Sequence, residues 1–160
     1  MPEVICNTSA LQYLHQLGLL HLLRDLYGSV TVPEAVVREI AAGRQQGVDL
    51  PDFAALPWLK VESSPTLVVA PTDLGAGEVG ALSLAGASPG AVVILDDALA
   101  RRYARLAGIR CTGTCGVLLR AKQRGLVPAV KPFLDHLTRL GFRLDAPTRE
   151  AILKLAGEQE

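Results

Sequence analysis

Two patterns of apolar residues alternate along the chain: short apolar segments and longer stretches of helical periodicity. The strongest short segments are continuously apolar, which is typical of strands buried on both faces. A further apolar segment, T-L-V-V-A (66–70), lies between two prolines. Six short segments predict strands: V-I-C (4–6), S-V-T-V (29–32), W-L-K-V-E (58–62), A-V-V-I-L (91–95), I-R-C-T (109–112) and F-R-L (142–144).

Apolar residues at helical spacing follow most of these segments. Gly18 and Gly28 are expected to end the first two helices, and Pro33 is expected to open the third. The residues G-R-Q-Q-G-V-D-L-P (43–51) predict a loop, which a short helical segment follows. The longer predicted helices cover residues 11–17, 19–27, 34–42, 76–86, 98–107, 114–124, 129–140 and 147–156.

Alternating strands and helices predict a single doubly wound α/β domain over residues 1–160, with a parallel sheet covered on both faces. No repeat, linker or low-complexity segment divides the chain. In such sheets ligands bind beyond the carboxyl ends of the strands. The polar residues expected at those ends are residues 7–9, 96–97 and 112–114.

The composition is that of an ordinary globular domain, with 49% apolar and 20% charged residues. The apolar runs are shorter than a membrane-spanning helix requires, and M-P-E-V lacks the order of a signal peptide, so we expect a cytoplasmic protein. Three cysteines argue against a disulfide framework. Cys111 and Cys115 have no histidine or second cysteine pair nearby, which favours apolar packing over zinc binding.

Charge is unevenly distributed, although the net charge is zero. Residues 1–97 contain four basic and eleven acidic side chains, whereas residues 98–160 contain twelve basic and five acidic ones. The basic half favours a polyanionic partner; the alternative is that its Arg and Lys side chains only solvate helices. Arg101 and Arg105 share one face of a predicted helix, so we expect this pair to contact phosphates.

Acidic side chains are candidates for binding a metal ion at the carboxyl edge of the sheet. Asp96 and Asp97 end a strand, and Glu39 adjoins the apolar face of its helix. Glu78 begins another helix, where the alternative role is to stabilise the helix dipole. Clustered carboxylates repel one another and are typical ligands of Mg²⁺ or Mn²⁺. Because such ions generate hydroxide for phosphodiester hydrolysis, charge and chemistry together indicate a nucleic-acid hydrolase.

The chain resembles the PIN-domain family in three segments: L-G-A-G-E-V-G-A-L-S-L-A, I-L-D-D-A-L-A-R-R-Y-A-R-L-A-G-I and T-G-T-C-G-V-L-L-R-A-K-Q-R-G-L-V-P. The resemblance covers nearly the whole chain, residues 3–157, and is strongest to a prokaryotic branch related to the ribonuclease toxins of VapBC toxin–antitoxin pairs. It implies a three-layer α/β/α fold with a central parallel sheet. It also implies a single-strand ribonuclease that depends on Mg²⁺ or Mn²⁺, is often a homodimer and is sometimes neutralised by a small antitoxin protein.

The same resemblance implies roles for individual residues. It assigns the catalytic acidic positions to Asn7, Glu39, Glu78 and Asp97, and the metal ligands to these four residues and Asp96. It places small hydroxyl groups that orient water or a substrate phosphate at Thr8, Ser9 and Thr114.

Asn7 departs from the family pattern, which has an aspartate at this position. The amide oxygen can ligate a hard cation, but it carries no charge, and the NH₂ group is a donor. Losing one charge weakens metal binding by a few kcal/mol, given a Coulomb energy of roughly 4 kcal/mol at ~4 Å and an effective dielectric of ~20. Three alternatives are open: a working site with weaker metal binding, an inactive site, or an introduced change.

Two other classes of function compete with a nuclease. The segment G-A-G-E-V-G (75–80) has the G-x-G-x-x-G spacing of a dinucleotide-binding domain, with an acidic residue about twenty positions later. Its context is poor, because residues 71–74 separate it from the preceding apolar segment and Glu78 would repel a pyrophosphate. The other class is a catalytically inactive RNA- or protein-binding module, which Asn7 favours.

Overall fold

A computed structural model describes residues 2–65 and 73–159. Its strands are β1 (Val4–Cys6), β2 (Val30–Pro33), β3 (Leu59–Glu62), β4 (Val92–Ile94) and β5 (Arg110–Thr112). They form one sheet in the order β3-β2-β1-β4-β5, and every pairing is parallel. Because β1 and β4 are neighbours, the sheet brings together two strands that are far apart in sequence. The segment T-L-V-V-A lies outside the described residues.

The described residues form eight α-helices, and their bounds agree with the periodicity to within a few residues. Gly18 and Gly28 follow the first two helices with φ values of 75° and 78°, as expected for residues that end a helix. A single 3-10 turn, Phe53–Ala55, precedes β3. The helices are α1 (Thr8–Gln16), α2 (His21–Tyr27), α3 (Glu34–Gln45), α4 (Ala76–Gly86), α5 (Ala98–Leu106), α6 (Thr114–Gln123), α7 (Lys131–Arg139) and α8 (Ala146–Leu155).

The sheet is covered on both faces, which gives the expected three layers. Successive residues of β1 belong to different apolar cores: Val4 and Cys6 pack in the larger one, and Ile5 packs in the smaller one. Residues of α1, α2, α3, α6, α7 and α8 complete the larger core, and residues of α4 and α5 complete the smaller one. Burial on both faces explains why the central strands β1 and β4 are continuously apolar, whereas the edge strands β3 and β5 carry charged residues and are more exposed. No helix of the described ranges is both long and apolar enough to cross a membrane.

Two sequence predictions fail at helix ends. The predicted loop 43–51 begins too early, because α3 continues to Gln45 and Gly43 lies within it. The predicted strand F-R-L (142–144) is wrong. Gly141, with a φ of 93°, ends α7. Its N–H donates to Thr138 O at 3.1 Å, and the Phe142 N–H donates to Leu137 O at 3.0 Å. This pair of bonds is a Schellman motif, which turns the chain away from the sheet.

Glu158 fixes the start of α7. Its carboxylate accepts hydrogen bonds from the backbone N–H groups of Val130 and Lys131 at 2.7 and 3.0 Å, and it pairs with the Lys122 ammonium at 2.9 Å. Burial acts to raise the pKa of Glu158, but these donors outweigh it and hold the pKa below its usual value. The contacts tie the C-terminal segment to α6 and α7, and α7 in turn leads to Phe142.

Candidate functional site

A cleft of about 460 Å³ lies at the carboxyl edge of the sheet. The edge forms where β1 and β4 end side by side, and the Asn7 N–H donates to Ile94 O at 3.2 Å. The strand pairing therefore brings residue 7 close to residues 96 and 97. Seven of the predicted site residues line this one cleft: Asn7, Thr8, Ser9, Glu39, Glu78, Asp96 and Asp97.

Glu39 is held between α1 and α4. Its carboxylate accepts hydrogen bonds from Thr8 Oγ1 at 2.5 Å and from the Gly77 N–H at 2.8 Å. The second bond uses the N-terminal end of α4, where free N–H groups and the helix dipole favour an anion. A Cβ atom at position 77 would lie 2.8 Å from Glu39 Oε2. Glycine is therefore required there for the carboxylate to approach this closely.

Glu78 has both of the roles that the sequence left open. It accepts a hydrogen bond from the Gly75 N–H at 3.0 Å, and so caps its own helix, while it also lines the cleft. Burial raises the pKa of Glu78; the Gly75 bond opposes the rise, whereas the charges of Asp97 and Glu39 add to it. These three carboxylates are therefore close enough to repel one another.

Asp96 is held by Thr114. Its oxygens accept hydrogen bonds from the Thr114 N–H at 2.8 Å and from Thr114 Oγ1 at 2.6 Å. Burial raises the pKa of Asp96, and the two Thr114 bonds and the Arg101 charge partly offset the rise. Thr114 itself is 0% exposed and does not line the cleft. Contact of Thr114 with water or phosphate stays a prediction; in the structure its hydroxyl and its N–H position Asp96.

Asp97 caps α5, since its Oδ2 accepts a hydrogen bond from the Ala100 N–H at 2.9 Å. Its Oδ1 has no hydrogen-bond partner among the described residues, so one oxygen is available in the cleft. Asn7 is only 3% exposed, and its Oδ1 accepts a hydrogen bond from Ser9 Oγ at 3.2 Å. An aspartate at position 7 would accept the same bond and replace the NH₂ group with a charged oxygen.

The chemistry of these side chains fits a hard cation. Four carboxylates and one amide supply oxygen atoms, which Mg²⁺ and Mn²⁺ prefer. In residues 2–65 and 73–159, however, no three acidic, His or Cys side chains approach closely enough to hold an ion. The hydrogen bonds above explain this spacing, because the four carboxylates are attached at three places, the starts of α4, α5 and α6, and the acids repel one another.

Arg101 and Arg105 do not line the cleft. Arg101 lies against Asp96 and stabilises its charge, and Arg105 is exposed in the last turn of α5. Contact of this pair with phosphates stays a prediction, and it would involve a part of the RNA strand that lies outside the cleft. The sequence reasoning missed six further residues that line the cleft, which are Gln12, Tyr13, Gly75, Gly141, Phe142 and Arg143.

The positions of Gln12 and Tyr13 could have been predicted from helical spacing. They lie four residues after Thr8 and Ser9, and so share their faces of α1. Phe142 and Arg143 were obscured by the wrong strand prediction.

The glycines of residues 75–80 serve packing. Gly77 admits the Glu39 carboxylate, and a Cβ atom at Gly80 would lie 2.8 Å from Pro33 Cβ. The start of α4, which a dinucleotide pyrophosphate would need, is instead occupied by the carboxylates of Glu39 and Glu78. The arrangement disfavours dinucleotide binding at this motif.

The three cysteines are free, in agreement with the expectation of no disulfide framework. Burial raises the pKa of the Cys115 thiol to about 12, and the neighbouring Asp96 charge acts in the same direction. Burial likewise raises the pKa of Cys6, which is fully enclosed beneath Asn7. Neither thiol is suited to act as a nucleophile.

A parallel sheet with an acidic cleft at its carboxyl edge defines an α/β domain with a nuclease-type fold. The family model of the PIN domain matches residues 3–158, so the chain belongs to the PIN-domain family. Proteins of this family generally use divalent metal ions, bind RNA and can pair with antitoxins. Comparison with curated protein sequences finds no match.

Proposed function

We propose that this protein is a divalent-metal-dependent ribonuclease that cleaves single-stranded RNA. The observation that carries the proposal is that Glu39, Glu78, Asp96 and Asp97, which come from three separate segments of the sequence, line one cleft. Burial raises the pKa values of Glu78 and Asp96, and the charges of Asp97 and Glu39 add to the rise at Glu78, so a cation in the cleft would stabilise the ionised acids. The basic second half of the chain supports a polyanionic substrate.

In this proposal Asp97, Glu78 and Glu39 hold Mg²⁺ or Mn²⁺ in the cleft, with Asp96 beside them and the Asn7 carbonyl oxygen as a neutral ligand. The ion supplies an activated water and offsets the charge that develops on the phosphodiester. Thr8 keeps Glu39 in place through its hydroxyl, and Thr114 does the same for Asp96. Ser9 orients the Asn7 amide and is near enough to contact substrate phosphate.

The amide at position 7 lowers the activity that we propose. Asn7 brings no charge to the site, so the metal is held less tightly than an aspartate would hold it. An inactive RNA- or protein-binding module is the second candidate, and buried Asn7 is the observation that favours it. The two candidates differ in whether an added charge at position 7 creates or increases cleavage.

We also propose a role as the toxin of a toxin–antitoxin pair, with a homodimer as the active form. Membership of the PIN-domain family, whose members can pair with antitoxins, supports the toxin role, and the homodimer rests on the resemblance to ribonuclease toxins. Light scattering of the purified protein tests the dimer: a monomeric mass at micromolar concentration would contradict it.

A ribonuclease assay in Mn²⁺ tests the proposed activity directly. We expect slow cleavage of single-stranded RNA by the wild-type protein, faster cleavage by Asn7→Asp and none by Asp97→Asn. Asp145→Asn is the matched control, because Asp145 also caps a helix, accepting the Thr148 N–H at 2.8 Å, but lies outside the cleft. If none of these proteins cleaves RNA while the wild type still binds it, the binding module is favoured.

A further inference from the structure

Part of the cleft wall differs in chemistry from the acids. It consists of Gln12 and Tyr13 from α1, and of Phe142 and Arg143 from the segment after α7. Two aromatic rings and a guanidinium group therefore lie in the same cleft as four carboxylates. Core packing alone accounts for the buried side of each ring, since Tyr13 and Phe142 both pack against the larger core. It does not account for Arg143.

Tyr13 and Phe142 form a rigid pair. Their ring centroids are 5.0 Å apart and the planes meet at 85°, an edge-to-face arrangement. Tyr13 lies in the middle of a helix, and the Phe142 backbone is fixed by the Schellman motif that ends α7. Both rings are partly exposed and line the cleft. An aromatic surface that is already ordered loses little entropy when a flat ligand stacks on it.

Arg143 carries the positive charge of this wall. Among the described residues that line the cleft it is the only cationic one, and it is exposed. Within the described part of the chain its guanidinium group makes no hydrogen bond or ion pair. It is thus available to bind an anion that enters the cleft, and its planar group suits a phosphate.

We propose that Tyr13, Phe142 and Arg143 form a nucleotide subsite beside the metal site, in which one unpaired base stacks on the aromatic pair and its phosphate contacts Arg143. The subsite rests on the proposed function and adds to it the residues that position the strand. Proteins commonly read unpaired bases by stacking them on aromatic side chains, and a base held in a duplex cannot stack in this way. Phe142 and Arg143 are positioning residues, because they act on the substrate at a distance from the reacting phosphate.

Measuring the binding of a strand with bases and of a strand without bases distinguishes the contribution of stacking from that of charge. The probes are a fluorescein-labelled oligoribonucleotide of roughly ten nucleotides and an abasic ribose-phosphate strand of equal length and charge. Binding is measured by anisotropy with Ca²⁺ in place of Mn²⁺, and a gel checks that the probes stay intact. We expect Phe142→Leu to weaken binding of the base-containing strand by about fivefold or more and to leave the abasic strand unaffected. Phe142→Tyr keeps the ring and is expected to bind as the wild type does.

Arg143→Gln is expected to weaken binding of both strands equally and to lower the salt dependence by about one phosphate contact. The control variants are Phe133→Leu, a partly buried α7 residue of the same core, and Arg139→Gln, an exposed α7 residue; neither side chain lines the cleft. Thermal denaturation shows whether each variant is folded.

The possible outcomes distinguish the subsite from the nuclease. If the wild type cleaves RNA and Phe142→Leu binds both strands as Phe133→Leu does, the subsite is wrong and the ribonuclease proposal stands. The phosphate contact of Arg143 is wrong if Arg143→Gln and Arg139→Gln bind both strands with the same affinity and the same salt dependence. If the wild type neither binds nor cleaves single-stranded RNA, both proposals are overturned.

Discussion

Replacing Gly77 with alanine tests how Glu39 is held in the cleft. The new Cβ atom would lie 2.8 and 2.9 Å from the two carboxylate oxygens of Glu39, so the carboxylate must move and release the Gly77 N–H. A hydrogen bond to a charged group contributes about 1.5–3 kcal/mol, and the greater helix propensity of alanine returns about 1 kcal/mol. We therefore expect a net loss of about 0.5–2 kcal/mol in the free energy of unfolding.

Gly86→Ala in the same helix is the matched control. Nothing lies within 4 Å of a Cβ atom at Gly86, and its φ is not in the left-handed region, so alanine there is expected to stabilise the protein by up to about 1 kcal/mol. For a protein of this size the two variants should differ by roughly 1–12 °C in Tm, measured by circular dichroism without metal. An increase in Tm for Gly77→Ala equal to that for Gly86→Ala would show that the Glu39 carboxylate is not held at the start of α4.

Three further predictions concern other contacts. Thr114→Val removes the hydroxyl that donates to Asp96 and is expected to raise the Asp96 pKa further; carboxyl NMR titration measures this, and an unchanged pKa would refute the contact. Glu158→Gln is expected to lower the free energy of unfolding by about 1–3 kcal/mol in urea at pH 7. The folded pKa of Glu158 lies below the usual 4.5, so its stabilisation is present above pH 4.5 and is lost as the pH falls through the folded pKa. A stability difference between Glu158→Gln and the wild type that is the same at all pH values would contradict this role of the Glu158 charge. Cys111 is expected to react with a thiol reagent before Cys115, whose pKa is near 12, with mass spectrometry locating the label; faster labelling of Cys115 would contradict the raised pKa of that thiol.

The sheet and the acidic cleft follow from local features of the sequence. Short continuous apolar runs are typical of strands buried on both faces, and parallel strands bring their carboxyl ends to one edge. Asn7 and Asp97 are 90 positions apart, yet they meet because β1 pairs with β4. The prediction of Glu39 and Glu78 as site residues depended on the family resemblance, because helical spacing alone left other roles open for them.

Phe142 and Arg143 were missed because a strand was predicted for their segment. Residues 142–144 have the composition of a strand, but the preceding L-G sequence ends a helix with a left-handed glycine, and Phe142 is the apolar residue that commonly follows. That signal was available and was outweighed by β propensity. The position of Arg101 against Asp96 was not readable, since it depends on how α5 leaves β4.

Electron paramagnetic resonance of Mn²⁺, titrated into the protein, measures directly whether the cleft binds a hard cation. Weak binding is expected for the wild type, binding at least about tenfold tighter for Asn7→Asp, because one charge is added at short range, and a loss of binding for Glu39→Gln. Glu34→Gln, on the same helix but outside the cleft, is expected to match the wild type. Equal Mn²⁺ affinity of Glu39→Gln and Glu34→Gln would contradict a metal site in this cleft.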